Sequence, residues 1–276
     1  MAILHASIFS QALKRTVPIE VILPADKVVA YGQQREAKRF KTLYLLHGLL
    51  GSCEDWTRNT NIRQLAEERD LAVVMPSGEN SFYVDQLLAN NDYGVYVGQE
   101  LVELTRRMFP LSEEREDTFI GGLSMGGFGA LRNGLKYHKT FGCIAALSAA
   151  VHVFEFAPED PRREMLMGED ACFGDLKEAA KTDKNPRVAF LRILEEKRRD
   201  PAVELPRIYL ACGTEDGLLE ANRQLRDFFL ANGQPVTYCE APGRHDWAFW
   251  QDQIGRVLDW LPLGAGRAGI SSGHVR

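Results

Sequence analysis

The sequence predicts an α/β protein with a mostly parallel central sheet, helices on both faces, and a helical insertion over the functional cleft. Three observations lead there. From Lys41 onward, short apolar runs alternate with amphipathic stretches, the pattern of a sheet whose strands are covered on both sides. A glycine-flanked serine, in "IGGLSMGGFGAL" (Ile120–Leu131), stands where one such run meets one such stretch. The chain of 276 residues, 45% of them apolar, suits one domain with a substantial core. The expected domain runs over 1–263, with about 151–205 as a cap-like insertion and 264–276 as a flexible tail.

In chain order, 3–10 and 15–23 alternate apolar and polar and carry many β-branched residues. They predict an antiparallel pair at the sheet edge. The parallel strands follow as "TLYLLHG", "LAVVMPS", "DTFIGGLS", "GCIAALSAA", "RIYLACG" and "VTYCEAP". Between them the 3.6-residue periodicity predicts helices over Asn61–Arg69, Asp92–Phe109, Gly126–Tyr137, Leu218–Asn232 and Asp246–Leu261. Val151–Leu205 breaks the rhythm, being charged, proline-containing and without a clear strand. It is too long for an ordinary loop and predicts helices above the strand ends.

Composition excludes several function classes. The net charge is −5, and no basic stretch with interleaved aromatics appears, so no nucleic-acid partner is expected. No apolar run approaches the roughly 20 residues of a membrane span, so no membrane partner is expected. The first residues lack the basic start and apolar run of a signal peptide. Five cysteines (Cys53, Cys143, Cys172, Cys212, Cys239) without CxxC spacing then predict reduced thiols in the cytoplasm. No zinc spacing is present, and neither metal nor cofactor is expected.

Gly122-Leu123-Ser124-Met125-Gly126 fits a tight strand-to-helix corner. Side chains at the glycine positions would collide with the neighbouring strand and helix, and the turn pushes the serine hydroxyl into a cleft. A serine hydroxyl needs a base to become a nucleophile. Of six histidines, His245 follows the last predicted strand and is the candidate base, with His152 a weaker competitor. The acid that fixes the imidazole tautomer should follow the penultimate strand, where Asp216 is the candidate and Glu215 the alternative. His47-Gly48-Leu49 ends an early strand, so the amides of Leu49 and Met125 are candidate oxyanion donors, with His47 bracing the loop. Trp56, Phe82, Tyr83 and Trp247 are candidate substrate-binding aromatics.

Five stretches carry a resemblance: "LLHGLLGSCEDW" (Leu45–Trp56), "VVMPSGENSFYVD" (Val73–Asp85), "TFIGGLSMGGFGAL" (Thr118–Leu131), "CGTEDGLLEAN" (Cys212–Asn222) and "HDWAFW" (His245–Trp250). They resemble the esterase D-type α/β-hydrolases, most closely the tributyrin esterase, feruloyl and acetyl esterase branch, and span Leu43 to Leu261 in order. The resemblance implies an α/β-hydrolase fold, a serine carboxylesterase acting on short-chain acyl esters, and Ser124, Asp216 and His245 as catalytic residues. Acetyl or feruloyl esters of carbohydrates are the implied substrate, small or oligosaccharide, and a homo-oligomer is expected from the family. S-formylglutathione thioester hydrolase and acyltransferase are the alternatives on the same triad. Against the first, such hydrolases typically carry histidine where Leu123 and Phe128 stand. Against mycolyltransferases, the related transferases, aspartate usually stands at the place of His47.

Overall fold

A computed structural model describes residues 1–27, 39–87, 89–155 and 172–264. Its centre is an eight-stranded sheet in the order β1-β2-β4-β3-β5-β6-β7-β8. β1 (Ala2–Ser10) and β2 (Arg15–Leu23) form the expected antiparallel arm, and β2 pairs antiparallel with β4 (Ala72–Pro76). From β4 onward every pairing is parallel, through β3 (Thr42–Leu46), β5 (Thr118–Leu123), β6 (Cys143–Leu147), β7 (Arg207–Gly213) and β8 (Val236–Ala241).

The inner strands are apolar at successive positions because both faces are covered. On one face Tyr44, Leu46, Ile120, Ile144 and Leu210 pack with α3 (Tyr93–Val95), α4 (Leu101–Met108), α5 (Met125–Lys136), α7 (Pro186–Arg199) and α8 (Leu219–Ala231). On the other, Leu43, Leu45, Val73, Phe119 and Tyr209 meet α1 (Asp55–Asn59), α2 (Ile62–Glu68) and α9 (Trp247–Trp260). Local signals set the helix ends. Asn185 caps α7 by accepting from the Arg187 amide, with Pro186 in the first turn, and Asp246 caps α9 by accepting from Phe249.

Two details differ from the sequence reading. The strand before the serine starts at Thr118, because Arg115–Asp117 is a 3₁₀ turn and Asp117 is drawn out to Lys41 and Ser112. The helix expected over Asp92–Phe109 is interrupted by a π-helical stretch, Tyr96–Glu100, between α3 and α4. Its last residue, Glu100, takes hydrogen bonds from Ser10 Oγ at 2.6 Å and the Ala12 amide at 3.1 Å, tying the β1–β2 turn to this layer.

The 151–205 segment is helical in its described parts, a 3₁₀ turn at Val151–Glu155, α6 (Leu176–Ala179) and α7. Its longest helix serves as the β6-to-β7 crossover: Phe190 packs edge-on against Phe229 of α8 with ring centroids 5.0 Å apart. Among the described residues, the 3₁₀ turn lines the pocket at the strand ends and Phe173 packs on Phe82 and Phe128 beside it. Residues 156–171 of the expected insertion and 265–276 of the expected tail lie outside the described residues. Among the described residues no helix is long and apolar enough to cross a membrane. All five cysteines are unpaired, four of them buried.

Phe190 is fully buried between α7 and α8. Phe190→Ala is expected to cost about 3–5 kcal/mol through lost contacts and a residual cavity. Urea denaturation should show a lower midpoint with an unchanged slope.

Candidate active site

The strand order reverses between β3 and β5, and the crevice at such a point lies beyond the carboxyl ends of the strands. The loops after β3, β5, β7 and β8 all open into it. After β5 the backbone turns at Ser124, whose φ is +53°. A non-glycine residue holds such a conformation only when its surroundings enforce it. Here the Ser124 amide donates to Leu147 O at 2.9 Å, and its carbonyl accepts from Ala150 N at 3.1 Å and Phe128 N at 3.0 Å. The flanking glycines are required sterically. A Cβ on Gly126 would sit 2.5 Å from the carbonyl oxygens of both Leu46 and His47, and one on Gly122 would sit 2.5 Å from the Gly126 backbone.

Ser124 Oγ lies 3.0 Å from His245 Nε2, and His245 Nδ1 lies 2.9 Å from Asp216 Oδ2. The second Asp216 oxygen accepts from the Leu218 amide at 2.8 Å. Burial raises the Asp216 pKa, but the hydrogen bonds from His245, Leu218 and Ser148 outweigh it and hold the carboxyl below its ordinary value. The Asp216 carboxylate therefore stays charged at neutral pH and takes the Nδ1–H, which leaves Nε2 free to accept the Ser124 proton. The His245 ring stands edge-on to Trp250, centroids 4.9 Å apart, and Trp250 Nε1 donates to Ser148 Oγ at 3.1 Å. The alternative acid, Glu215, is exposed and hydrogen-bonds its neighbour Thr214. The competing base, His152, lines the same pocket, but His245 is the histidine on the Ser124 hydroxyl.

The loop after β3 is held from behind. The Gly78 amide donates to His47 Nε2 at 2.8 Å, so the ring proton is on Nδ1, which donates to Gly48 O at 2.7 Å. Burial lowers the His47 pKa, in keeping with this neutral tautomer. The Leu50 amide is taken by Asn80 Oδ1 and the Gly51 amide by Gly48 O, leaving the Leu49 amide unengaged among the described residues. The Met125 amide lies in the first turn of α5, outside the helix's own ladder.

A cavity of about 460 Å³ opens in front of Ser124. Of the residues singled out from sequence, Leu49, Phe82, Ser124, Asp216, His245 and Trp247 line it. Trp56 and Tyr83 do not. Both are fully buried, and each holds a carbonyl at the end of β3: Trp56 Nε1 donates to Leu46 O and the Tyr83 hydroxyl to His47 O, both at 3.0 Å. Sequence reasoning missed Asp55, Val153, Leu218 and Trp250 as lining residues. For Trp250 a signal existed, since it stands three residues after Trp247 on the same helical face. Among the described residues no cluster of histidine, cysteine, aspartate and glutamate could hold a metal ion.

The model of a family described as "Putative esterase" matches residues 10–261. The chain belongs to this esterase family. It is a carboxylic ester hydrolase with the α/β-hydrolase fold. An acetyl esterase of Caldicellulosiruptor saccharolyticus is 41% identical to it over 266 residues, covering 95% of this chain and 98% of the relative. Among solved structures, a fluorophosphonate-binding serine hydrolase of Staphylococcus aureus superposes with a TM-score of 0.81 at 28% identity, over 94% of this chain and 98% of the other. An S-formylglutathione hydrolase of the same organism gives a TM-score of 0.79 at 28% identity over the same shares.

Two outcomes follow for this esterase. Gly126→Ala should lose at least about 1–3 kcal/mol to overpacking, because rigid backbone carbonyls cannot retreat, and ester turnover should fall with it; thermal melts and initial rates check this. The buried neutral His47 and His138 both have lowered pKa values, burial being the main cause. The unfolded chain therefore takes up protons first as pH falls below the ordinary histidine value of 6.5. Their contribution is complete above that pH and is lost on acidification, so Tm should fall as pH drops below about 6.5. His47→Gln should flatten that fall.

Proposed function

We propose that this esterase hydrolyses short-chain acyl esters, acetyl esters foremost, through an acyl-enzyme on Ser124. The observation that carries the reading is the relay Ser124 Oγ–His245 Nε2–His245 Nδ1–Asp216 Oδ2, at 3.0 and 2.9 Å, at the floor of the pocket. His245 Nε2 takes the hydroxyl proton as Ser124 attacks the ester carbonyl carbon. The developing oxyanion is received by the amides of Leu49 and Met125. Such preformed donors act where charge appears and need no reorganisation. The tetrahedral intermediate expels the alcohol, which leaves with the proton from Nε2. A water then gives its proton to Nε2 as it attacks the acyl carbon; the second intermediate expels Ser124 Oγ, which takes the proton back from Nε2, and the acid is released. Asp216 keeps the ring oriented and balances its charge while Nε2 is protonated.

The apolar wall of Val153, Leu218, Trp247 and Trp250 supports a small acyl group beside Ser124. The 41% identical acetyl esterase supports acetyl as that group. The alcohol is read as a carbohydrate hydroxyl, for which Trp247 offers an aromatic face, with feruloyl esters of the same sugars as the larger variant. The S-formylglutathione reading has the S. aureus hydrolase in its favour. Against it stands Phe128, which is buried in an aromatic cluster with Phe82 and Phe173 where those hydrolases typically carry histidine.

The test is a panel of p-nitrophenyl esters from acetyl to decanoyl, with acetylated xylo-oligosaccharide, methyl ferulate and S-formylglutathione. Acetyl to butyryl esters should turn over fastest. Ser124→Ala should abolish turnover, and Asp216→Asn should lower kcat about 10³–10⁴-fold by presenting the wrong imidazole tautomer. Full activity in Ser124→Ala, or preference for S-formylglutathione, would overturn the reading.

A further inference from the structure

The described residues lining the pocket in front of Ser124 carry fixed charge of one sign. Among the described residues lining it, the ionisable side chains are Asp55, His152, Asp216 and His245, and none is lysine or arginine. The charge on Asp216 is engaged by His245 and the Leu218 amide. Asp55 is placed differently. It is half-buried in the first turn of α1, and one of its oxygens accepts from Ser52 Oγ at 3.2 Å. The other lies against Gly51, where an added Cβ would come within 2.2 Å of it. The loop that presents the Leu49 amide is therefore shaped around this carboxylate. No lysine or arginine pairs with Asp55 among the described residues, so its charge acts on the neutral His47 ring behind it and on whatever occupies the pocket.

We propose that Asp55 sets the charge selectivity of the site: the pocket accepts esters whose acyl and alcohol parts are neutral or cationic and rejects those bearing a carboxylate. The inference rests on the serine-esterase reading above. A carboxylate about 7 Å from a like charge, at an effective dielectric near 40, changes binding roughly 5–10-fold. An uncharged sugar or simple alcohol meets no such opposition. A glutathione thioester, with two free carboxylates against one ammonium, meets it on balance. Asp55 thereby supplies a physical basis for separating the two substrate classes to which this chain's relatives belong.

The experiment uses three acetyl esters on one phenol scaffold, 4-acetoxybenzoate, 4-acetoxybenzamide and (4-acetoxybenzyl)trimethylammonium. They are assayed with the wild type, Asp55→Asn, Asp55→Glu and Ser124→Ala at about 20 mM and about 0.5 M salt, concentrations at which screening is weak and strong. Asp55→Asn should raise the kcat/KM ratio of the anionic to the neutral ester about 5–10-fold at low salt, chiefly through KM, and lower the cationic-to-neutral ratio. The gain should shrink at high salt, and Asp55→Glu should keep the wild-type ratios. The wild type alone offers a check that needs no variant: salt should favour its anionic substrate over its neutral one. Equal losses on all three esters in Asp55→Asn would mean the residue only braces the loop, and the proposal falls. Unmoved ratios, with Ser124→Ala inactive, would also defeat it while leaving the esterase reading intact. Turnover by Ser124→Ala would remove that reading, and this proposal with it.

Discussion

The close approach of α5 to the end of β3 is the contact on which the site is built. Gly126 lies so near the carbonyls of Leu46 and His47 that no side chain fits between them. That approach leaves the turn at Ser124 with few conformations, and the positive φ there follows from it. It also brings the first amide of the helix and the loop after β3 to the same side of one serine. The two carbonyls pressed against Gly126 are not left to water. Trp56 donates to one and Tyr83 to the other. A buried carbonyl without a partner is costly, so these two aromatics make the close approach affordable to the fold as well as fixing its geometry.

Around this contact the polar groups are ordered by their hydrogen bonds. His47 is buried and neutral, with the Gly78 amide deciding its tautomer. Asp216 is held charged by donors that outweigh the cost of its burial. His245 stands between a charged acceptor and a neutral hydroxyl, and its ring leans on Trp250 rather than on another polar group. Such an arrangement is preorganised for the proposed proton transfer, which would need no group to move.

Much of this was written in the sequence, for reasons that differ by residue. The serine corner was legible because its glycines answer a steric demand that few other contexts make. Asp216 and His245 were legible because chain order places them on the loops after the last two strands. The direction in which an aromatic side chain points was not legible. Trp56 and Tyr83 lie in stretches that border the cleft, yet their rings turn inward to the carbonyls of β3, a choice made by partners distant in sequence. Asp55 carries no signal in the sequence, where no helix is expected around it, and only its placement on the pocket wall beside Gly51 marks it out. The π-helical stretch at Tyr96–Glu100 breaks no periodicity strongly enough to announce itself; its end is fixed by the β1–β2 turn far away in the chain.

The sheet also distributes mechanical support unequally among the parts of the site. Ser124 follows a central strand flanked by β3 and β6, whereas His245 follows β8, the terminal strand, whose residues are largely half-exposed. Local opening of a fold is easiest where backbone hydrogen bonds face solvent and packing is thin. Detachment of β8 would carry the imidazole away while the serine corner stayed folded at the centre. The proposed nucleophile thus sits in a central layer and the proposed base after an edge strand, so heat or denaturant is expected to disturb their alignment before the fold as a whole.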